Sequence, residues 1–147
     1  MFVGVLYALF TWVFGLAVVR GSSMEPAAGD GDLALVFRNP DALVANDVVM
    51  YCDGSGNQLI GRIAAVPGEE VEITADGAVE VNGNAQPSVT GEKTVAGSAA
   101  NPLQLGTGEY YVLADKRAQA TDSRKLGAIG INEVEGTVIA LLRLRGI

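Results

Sequence analysis

The first nineteen residues restrict the architecture of this chain more than any other segment. Met1–Val19 (MFVGVLYALFTWVFGLAVV) contains no charged side chain, and Arg20 follows it directly. Nineteen residues of α-helix extend about 28 Å, close to the thickness of the hydrocarbon core of a bilayer. A cleavable signal peptide has a basic start and a small-residue cleavage site, and neither precedes Arg20. A buried core helix is a further alternative, but an apolar surface on all sides favours lipid. We therefore expect residues 1–20 to form a transmembrane anchor that contacts lipid through residues 1–19.

The charge of the chain and its missing residue types exclude several functional classes. The chain has 17 acidic and 10 basic residues and a net charge of −7, so we expect no nucleic-acid partner. It contains no histidine, which excludes Ser-His-Asp and Cys-His catalysis and removes the commonest zinc ligand. The single cysteine, Cys52, has no partner for an intrachain disulfide.

Beyond Arg20 the sequence has the pattern of an all-β domain. Short runs rich in β-branched and aromatic residues alternate with Gly, Asn, Asp and Pro, which is typical of strands and turns. Asp76-Gly77 lies within an alternating run and predicts a hairpin. Residues 84–108 are rich in Gly, Ser, Thr and Pro and are expected to form a surface excursion. The predicted fold class is mainly β, one domain over residues 21–147 arranged as a folded sheet or partly closed barrel. Strands are expected within residues 31–39, 46–53, 59–66, 71–83, 109–115 and 135–145.

Four short motifs follow one another behind the apolar run. They are Ser22-Ser23-Met24-Glu25-Pro26, Gly29–Asp32, Arg62–Glu69, and Tyr111–Asp115 leading to Asp122-Ser123-Arg124 and Gly127. A serine in a turn is by itself a weak signal, because most such serines cap or solvate the backbone. The order of all four motifs is far more specific. It resembles the type I signal peptidase family, whose hallmarks are S-M-x-P after a membrane anchor, K-R-x-x-x-x-P-G-D, and G-D-N-R-x-x-S-x-D-S-R-x-x-G.

The resemblance extends from Arg20 to the C-terminus and implies a membrane-anchored β domain on the outer face of the cell membrane. The family uses a Ser–Lys dyad without metal or cofactor, and its substrates are secretory precursors with small side chains before the cleavage point. Ser23 matches the nucleophile, whose backbone N–H would contribute to the oxyanion hole. The other matching residues are Met24 and Pro26, which fix the turn, and Asp122, Ser123 and Arg124, of which the aspartate and arginine hold the last motif together.

The general base of the family is missing from its expected position. In family members a lysine immediately precedes the arginine of the second motif, whereas here Gly61 precedes Arg62. A guanidinium group does not lose its proton in proteins, so Arg62 cannot replace that lysine. Ala120 replaces the serine whose hydroxyl holds the lysine amine in family members. The resemblance thus predicts that the base and its orienting partner have both been lost.

Three interpretations of the site follow. We favour a non-catalytic signal-peptidase-like protein, a pseudoenzyme, that binds the cleavage regions of secreted or surface precursors by strand addition without cutting them. Family members that lack dyad residues are associated with pilus assembly on Gram-positive surfaces, which implies a similar role by analogy only. The second interpretation is an active serine endopeptidase that removes signal peptides with Ser23 as nucleophile and Lys116 as a relocated base. The third is a membrane-tethered module that binds a partner protein and is not a peptidase.

Overall fold

The computed structural model describes residues 2–38, 43–118 and 120–143, and its architecture is mainly β. The helices in these ranges are α1 (Phe2–Val13), α2 (Ser123–Leu126) and one 3-10 turn (Ile131–Glu133). The strands are β1 (Phe14–Val18), β2 (Leu33–Phe37), β3 (Val48–Cys52), β4 (Gln58–Ala65), β5 (Glu70–Ile73), β6 (Val79–Val81), β7 (Asn84–Gln86), β8 (Leu103–Gln104), β9 (Glu109–Leu113), β10 (Ile129–Gly130) and β11 (Val134–Leu142). The mainly β fold class predicted from the alternating pattern is confirmed.

The apolar N-terminal run is divided between a helix and a strand, which differs from the expected single helix over residues 1–20. Helix α1 ends at Val13, and β1 pairs antiparallel with β2 from Phe14 opposite Phe37 to Val18 opposite Leu33. An uncharged apolar run suits a helix and a sheet strand equally, so the free edge of β2 decides between them by offering backbone hydrogen bonds. Among the described helices, none combines the length and apolar character needed to cross a membrane.

Two antiparallel sheets make up the domain. The larger has seven strands in the order β1-β2-β11-β3-β4-β9-β10 and is curled, and the smaller has four in the order β7-β6-β5-β8. The long strand β11 pairs with both β2 and β3, and its register shifts twice. Such bulges increase local twist, which lets one sheet bend around its own core.

Strand β4 separates two clusters of buried side chains because its residues alternate between its two faces. Ile60 packs into the Met24 cluster, and Ile63 packs into the Tyr51 cluster. A third cluster joins β5 and β6 of the small sheet to β9 through Tyr111 and Leu113. The Met24 cluster consists of Val19, Met24, Ala28, Ala34, Val36, Met50 and Ile60. The Tyr51 cluster consists of Leu43, Val49, Tyr51, Ile63, Tyr110, Val112, Ile129 and Val134.

The hairpin predicted at Asp76-Gly77 is present. β5 and β6 pair antiparallel around it, and Gly77 has a φ of +89°, a conformation that favours glycine. In the segment 84–108, β7 and β8 extend the small sheet at its two edges. Residues 87–102 contain neither helix nor strand and are mostly exposed, apart from the buried Thr94. This segment covers one face of β4 near its C-terminal half, where it closes a pocket.

Candidate active site

Ser23 lies in the loop that connects β1 to β2, and hydrogen bonds hold this loop in place. The backbone N–H of Val19 donates to the carbonyl of Asp32 at 2.8 Å, which closes the base of the loop. Further along, the N–H of Gly21 donates to the carboxylate of Asp30 at 2.7 Å. Ser23 itself is half-buried. The loop therefore presents one accessible serine from a constrained turn.

The residues after Ser23 form the expected turn. The N–H of Ala28 donates to the carbonyl of Met24 at 2.8 Å, and the side chain of Met24 is fully buried in the Met24 cluster. Pro26 lies on the exposed side, where its carbonyl accepts a hydrogen bond from the guanidinium of Arg143 at 3.0 Å. Met24 thus anchors the turn to the core, and Pro26 faces away from it.

The first and last sequence motifs meet at this turn. The backbone N–H of Lys116 donates to the carbonyl of Ser23 at 2.8 Å. The N–H of Asp115 donates to the sulfur of Met24 at 3.3 Å. Both contacts join residues about ninety positions apart in the chain. Residues that lie far apart in the sequence are therefore neighbours around Ser23.

Arg62 and Asp115 form a bidentate, largely buried ion pair next to the contact between Lys116 and Ser23. The Nε and Nη2 atoms of Arg62 donate to the two carboxylate oxygens of Asp115 at 2.8 and 2.7 Å. The side chain of Asp115 is 1% exposed and that of Arg62 is 23% exposed. The bond to Asp115 raises the pKa of Arg62 above its usual value, so Arg62 remains charged. Its role in this geometry is to hold Asp115, and with it the backbone that contacts Ser23.

Asp122, Ser123 and Arg124 fix the last motif to strand β9. Asp122 caps α2 by accepting the N–H of Arg124, and its two carboxylate oxygens also accept from Nε and Nη2 of Arg124, each at 2.8 Å. The same carboxylate accepts the N–H of Ala114, and the hydroxyl of Ser123 accepts the N–H of Val112 at 2.8 Å. Through these hydrogen bonds the three residues fix the backbone of the last motif to β9.

The amine of Lys116 is paired with the carboxylate of Glu25. Lys116 Nζ lies 3.2 Å from Glu25 Oε2, in an ion pair whose side chains are 42% and 36% exposed. The hydrogen bond that joins Lys116 to Ser23 comes from the backbone N–H of Lys116. Within the described residues, the hydroxyl of Ser23 makes no hydrogen bond to any side chain that would serve as a base.

Gly61, which stands at the position where the resemblance predicts the family lysine, lies in a filled part of the core. It points to the same face of β4 as Ile63. A Cβ atom added at Gly61 would lie 2.5 Å from Val112 Cγ1 and 3.3 Å from Tyr51 Cε1. Contacts between carbon atoms normally begin near 3.5 Å. A side chain at this position therefore has no room unless Val112 moves.

Tyr51 extends from that filled space towards the last motif. Its side chain is fully buried, and its hydroxyl donates to the carbonyl of Thr121 at 3.5 Å. Burial raises the pKa of Tyr51, and the nearby charges of Asp122 and Asp53 raise it further, so the hydroxyl stays protonated. The neighbouring Ala120 is 6% exposed. A neutral tyrosine thus lies between position 61 and the segment that carries Ala120.

Two strand edges beside the Ser23 loop have no partner among the described strands. β1 is the outermost strand of the large sheet. β4 pairs with β3 along its whole length, but it pairs with β9 only from Arg62 onwards, so Gln58–Gly61 has one open edge. Side chains next to both edges, Ala17 and Ile60, belong to or pack against the Met24 cluster. The two open edges therefore border the same buried apolar cluster, which also holds Met24 next to Ser23.

Comparison with known proteins agrees with this arrangement of motifs. The profile of the family described as signal peptidase, peptidase S26, matches residues 1–142. The chain belongs to this family. Signal-peptide processing is the activity of the family, and precursors that carry signal peptides are its substrates. The recognition of a signal peptidase from the ordered motifs is confirmed at this level.

Two curated signal peptidases illustrate how far the similarity extends. A signal peptidase I of Bacillus amyloliquefaciens is 29% identical over 140 residues, covering 86% of this chain and 72% of the relative. A signal peptidase IB of Staphylococcus aureus (strain COL) is 27% identical over 154 residues, covering 91% of this chain and 80% of the relative. The crystal structure of a signal peptidase I from Enterococcus faecalis V583 superposes with a TM-score of 0.57 at 23% identity, covering 67% of this chain and 97% of that one. The last comparison establishes the shared signal-peptidase fold.

Tyr51 and Val112 are residues of the site whose role no sequence motif indicated. Both lie in apolar strand segments whose composition indicates only burial. Their importance depends on which side chain faces Gly61 across two strands, and this follows from register rather than from local pattern. By contrast, the Arg62–Asp115 pair joins two residues that already stood inside recognisable motifs.

Proposed function

We propose that this signal-peptidase family member binds the cleavage region of signal-peptide precursors without hydrolysing it. Ser23 occupies the nucleophile position, Gly61 replaces the dyad lysine and Ala120 replaces the serine that orients its amine. The chain thereby keeps the scaffold of a peptidase and lacks its general base.

The observation that carries this proposal is the packing at Gly61. Serine is a weak nucleophile without an adjacent base. The space in which a lysine side chain would begin at position 61 holds Val112 and Tyr51 instead. Tyr51 is fully buried and its pKa is raised, so it is no substitute for a base near neutral pH. Losing the base and filling its place are two consistent changes in one part of the core.

Peptide binding is supported by the two open strand edges. An extended peptide laid between β1 and Gln58–Gly61 gains backbone hydrogen bonds from both edges, in the manner of strand addition. The partly buried residues that pack against the Met24 cluster, among them Ala17 on β1, supply an apolar floor with a small side chain. Such a floor suits the small side chains that precede a signal-peptide cleavage point.

Membrane attachment through residues 1–19, with the domain outside the cytoplasm, is part of the same proposal. None of the residues of α1 is buried, and its exposed side chains include Phe2, Phe10 and Trp12. An apolar helix without a buried residue finds a suitable environment at a lipid surface. A role in pilus assembly at a Gram-positive surface rests on analogy with family members that lack dyad residues.

A relocated base is the second candidate, and the contact between Lys116 and Ser23 is the observation in its favour. Movement of the Lys116 side chain away from Glu25 is required for its amine to approach the Ser23 hydroxyl. This candidate makes the chain an active peptidase whose base lies in the last motif.

The two candidates are separated by assaying the full-length protein in detergent. A secretory precursor and a fluorescent peptide that spans its cleavage point are incubated with the wild-type chain, with Ser23→Ala and with Lys116→Ala. Binding of the peptide without cleavage by any of the three proteins is the result expected for a non-catalytic binder. Cleavage that is lost in both variants would establish the relocated base.

Two further outcomes contradict the proposal in different ways. Cleavage by the wild-type chain that persists in Lys116→Ala but not in Ser23→Ala would require a base that neither candidate contains. Absence of both binding and cleavage would exclude a precursor-binding role and leave a tethered module for another partner.

A further inference from the structure

The Ser23 turn, residues 23–28, is held to the rest of the domain at two points. At the first, the backbone N–H of Lys116 donates to the carbonyl of Ser23 at 2.8 Å. At the second, Nη2 of Arg143 donates to the carbonyl of Pro26 at 3.0 Å. Lys116 lies within the last sequence motif, whereas Arg143 belongs to none of the four motifs. The second contact therefore has no counterpart in the ordered motifs.

The second half of the turn receives its protein hydrogen bonds from this guanidinium. In the described part of the chain, no backbone N–H bonds to the carbonyl of Pro26 or Ala27, whereas the carbonyls of Ser22 and Met24 accept N–H groups at 3.1 and 2.8 Å. Nη2 of Arg143 lies 3.0 Å from the oxygen of Pro26 and 3.4 Å from that of Ala27. One nitrogen thus serves both carbonyls, and a bond from a charged donor is stronger than one from a neutral donor.

The register of β11 places Arg143 next to this turn. Leu142, the last residue of β11, pairs with Leu33 of β2, and the preceding Asp32 accepts the hydrogen bond that closes the base of the Ser23 loop. Leu141 packs against the Met24 cluster. The backbone before Arg143 is therefore already fixed by pairing and packing. This reduces the conformational entropy that the contact with the turn costs.

The orientation of the turn decides how Ser23 stands relative to the open strand edges. The fully buried Met24 fixes the middle of the turn to the core, and the N–H of Lys116 fixes Ser23. Neither of these contacts holds the carbonyls of the second half. Loss of the guanidinium would free that half to tilt about Met24, and Ser23 would move with it.

We propose that Arg143 is a positioning residue for the peptide site between β1 and Gln58–Gly61. Its guanidinium holds the second half of the Ser23 turn and thereby fixes the direction in which Ser23 faces a bound peptide. The role in binding rests on the proposed function, but the contact with the turn is made without a peptide. Arg143 acts through the backbone of the turn.

The first measurement is hydrogen–deuterium exchange of the full-length chain in detergent, read by mass spectrometry in fragments that cover residues 23–28. At short exchange times, local opening dominates over global unfolding. Arg143→Met should make these amides exchange roughly tenfold faster, because a charged hydrogen bond that holds the turn is lost. Arg143→Lys should exchange like wild type, since a single ammonium nitrogen can donate to both carbonyls.

The second measurement is the affinity for a fluorescent peptide that spans a signal-peptide cleavage point, determined by fluorescence anisotropy. Urea unfolding first establishes that every variant is folded, so that affinity reports the turn and not the folded fraction. Arg143→Met should weaken binding roughly fivefold to tenfold, and Arg143→Lys should restore most of it. Arg20→Met is the matched control, because Arg20 is exposed, carries the same charge and lies three residues before Ser23. It should bind like wild type.

Three results would overturn the inference. Unchanged exchange of residues 23–28 in Arg143→Met would do so whether or not a peptide binds. Faster exchange with unchanged peptide affinity would show that Arg143 holds the turn without shaping the peptide site. Equal loss of affinity in Arg20→Met would show a general effect of charge.

Failure of the proposed function gives a different result. A wild-type chain that binds no peptide would refute precursor binding. Faster exchange in Arg143→Met would then still establish Arg143 as the residue that holds the Ser23 turn.

Discussion

Val112 Cγ1 lies 2.5 Å from the point where the Cβ of a residue at position 61 would stand, so Val112 and any side chain at position 61 exclude each other. Val112 is fully buried, which leaves it little freedom to turn away. This relationship between two strands explains why the absence of a side chain at Gly61 concerns stability as well as catalysis. It also predicts how both properties change together.

The first prediction concerns stability at this contact. Replacing a strand glycine by alanine normally stabilises by roughly 0.5–1 kcal/mol. Here we expect Gly61→Ala to lower the free energy of unfolding by roughly 1–3 kcal/mol, because the added methyl overpacks the core. In Gly61→Ala/Val112→Ala the contact is relieved, so the double variant should be more stable than the sum of the single changes predicts. Urea unfolding of the four proteins measures this coupling, and a coupling of zero would show that Val112 does not restrict position 61.

The second prediction concerns the restoration of catalysis. Gly61→Lys combined with Ala120→Ser supplies the base and its orienting hydroxyl, but the lysine must pass Val112. We therefore expect Gly61→Lys/Ala120→Ser to cleave a signal-peptide substrate weakly, and the triple variant with Val112→Ala to cleave it faster. Both activities should disappear when Ser23→Ala is added. Absence of cleavage in the triple variant, with peptide binding retained, would show that more than the dyad has been lost.

The strands and the hairpin at Asp76-Gly77 were predictable because period-two alternation and turn residues are local signals. Residues 14–18 were not, since an apolar run has the same composition in a helix and in a strand, and the edge of β2 decides the outcome. For the site, the order of the motifs that contain Ser23, Arg62 and Asp122 was enough to identify the family. The filling of position 61 depends on register and long-range packing, which one sequence does not encode locally.

The third prediction concerns the Arg62–Asp115 pair. Asp115 is almost fully buried, so Arg62→Met leaves its carboxylate without its hydrogen-bonded counter-charge and should destabilise the domain by roughly 3–5 kcal/mol. Because Asp115 and Lys116 contact the Ser23 turn, peptide binding should weaken as well. Arg62→Met/Asp115→Leu removes both charges and should recover much of the stability. Chemical unfolding of the three variants checks this, and a double variant no more stable than Arg62→Met would contradict it.

The fourth prediction concerns the reactivity of Cys52. Its thiol donates to Glu135 Oε1 at 3.1 Å, and this bond raises the pKa of Cys52, with smaller contributions from partial burial and from the charges of Glu135 and Asp53. A raised pKa means less thiolate at a given pH. Glu135→Gln should therefore shift the pH profile of alkylation by iodoacetamide to lower pH, making the reaction faster at pH 8. Glu72→Gln, an exposed change on β5, is the matched control, and an identical shift in it would exclude a local effect.

The last prediction concerns the ion pair between Lys116 and Glu25, next to Ser23. Both side chains are more than a third exposed, so the pair contributes little, about 0–1 kcal/mol, to stability. The contact that positions Ser23 uses the backbone N–H of Lys116, which every side chain at this position except proline retains. We therefore expect Lys116→Ala to change the free energy of unfolding by no more than about 1 kcal/mol, measured by urea unfolding. Its peptide affinity, measured by fluorescence anisotropy, should stay within twofold of the wild-type value. Lys116→Pro should weaken peptide binding through loss of the N–H donor. Equal peptide affinity in the alanine and proline variants would show that the backbone bond to Ser23 does not shape the groove.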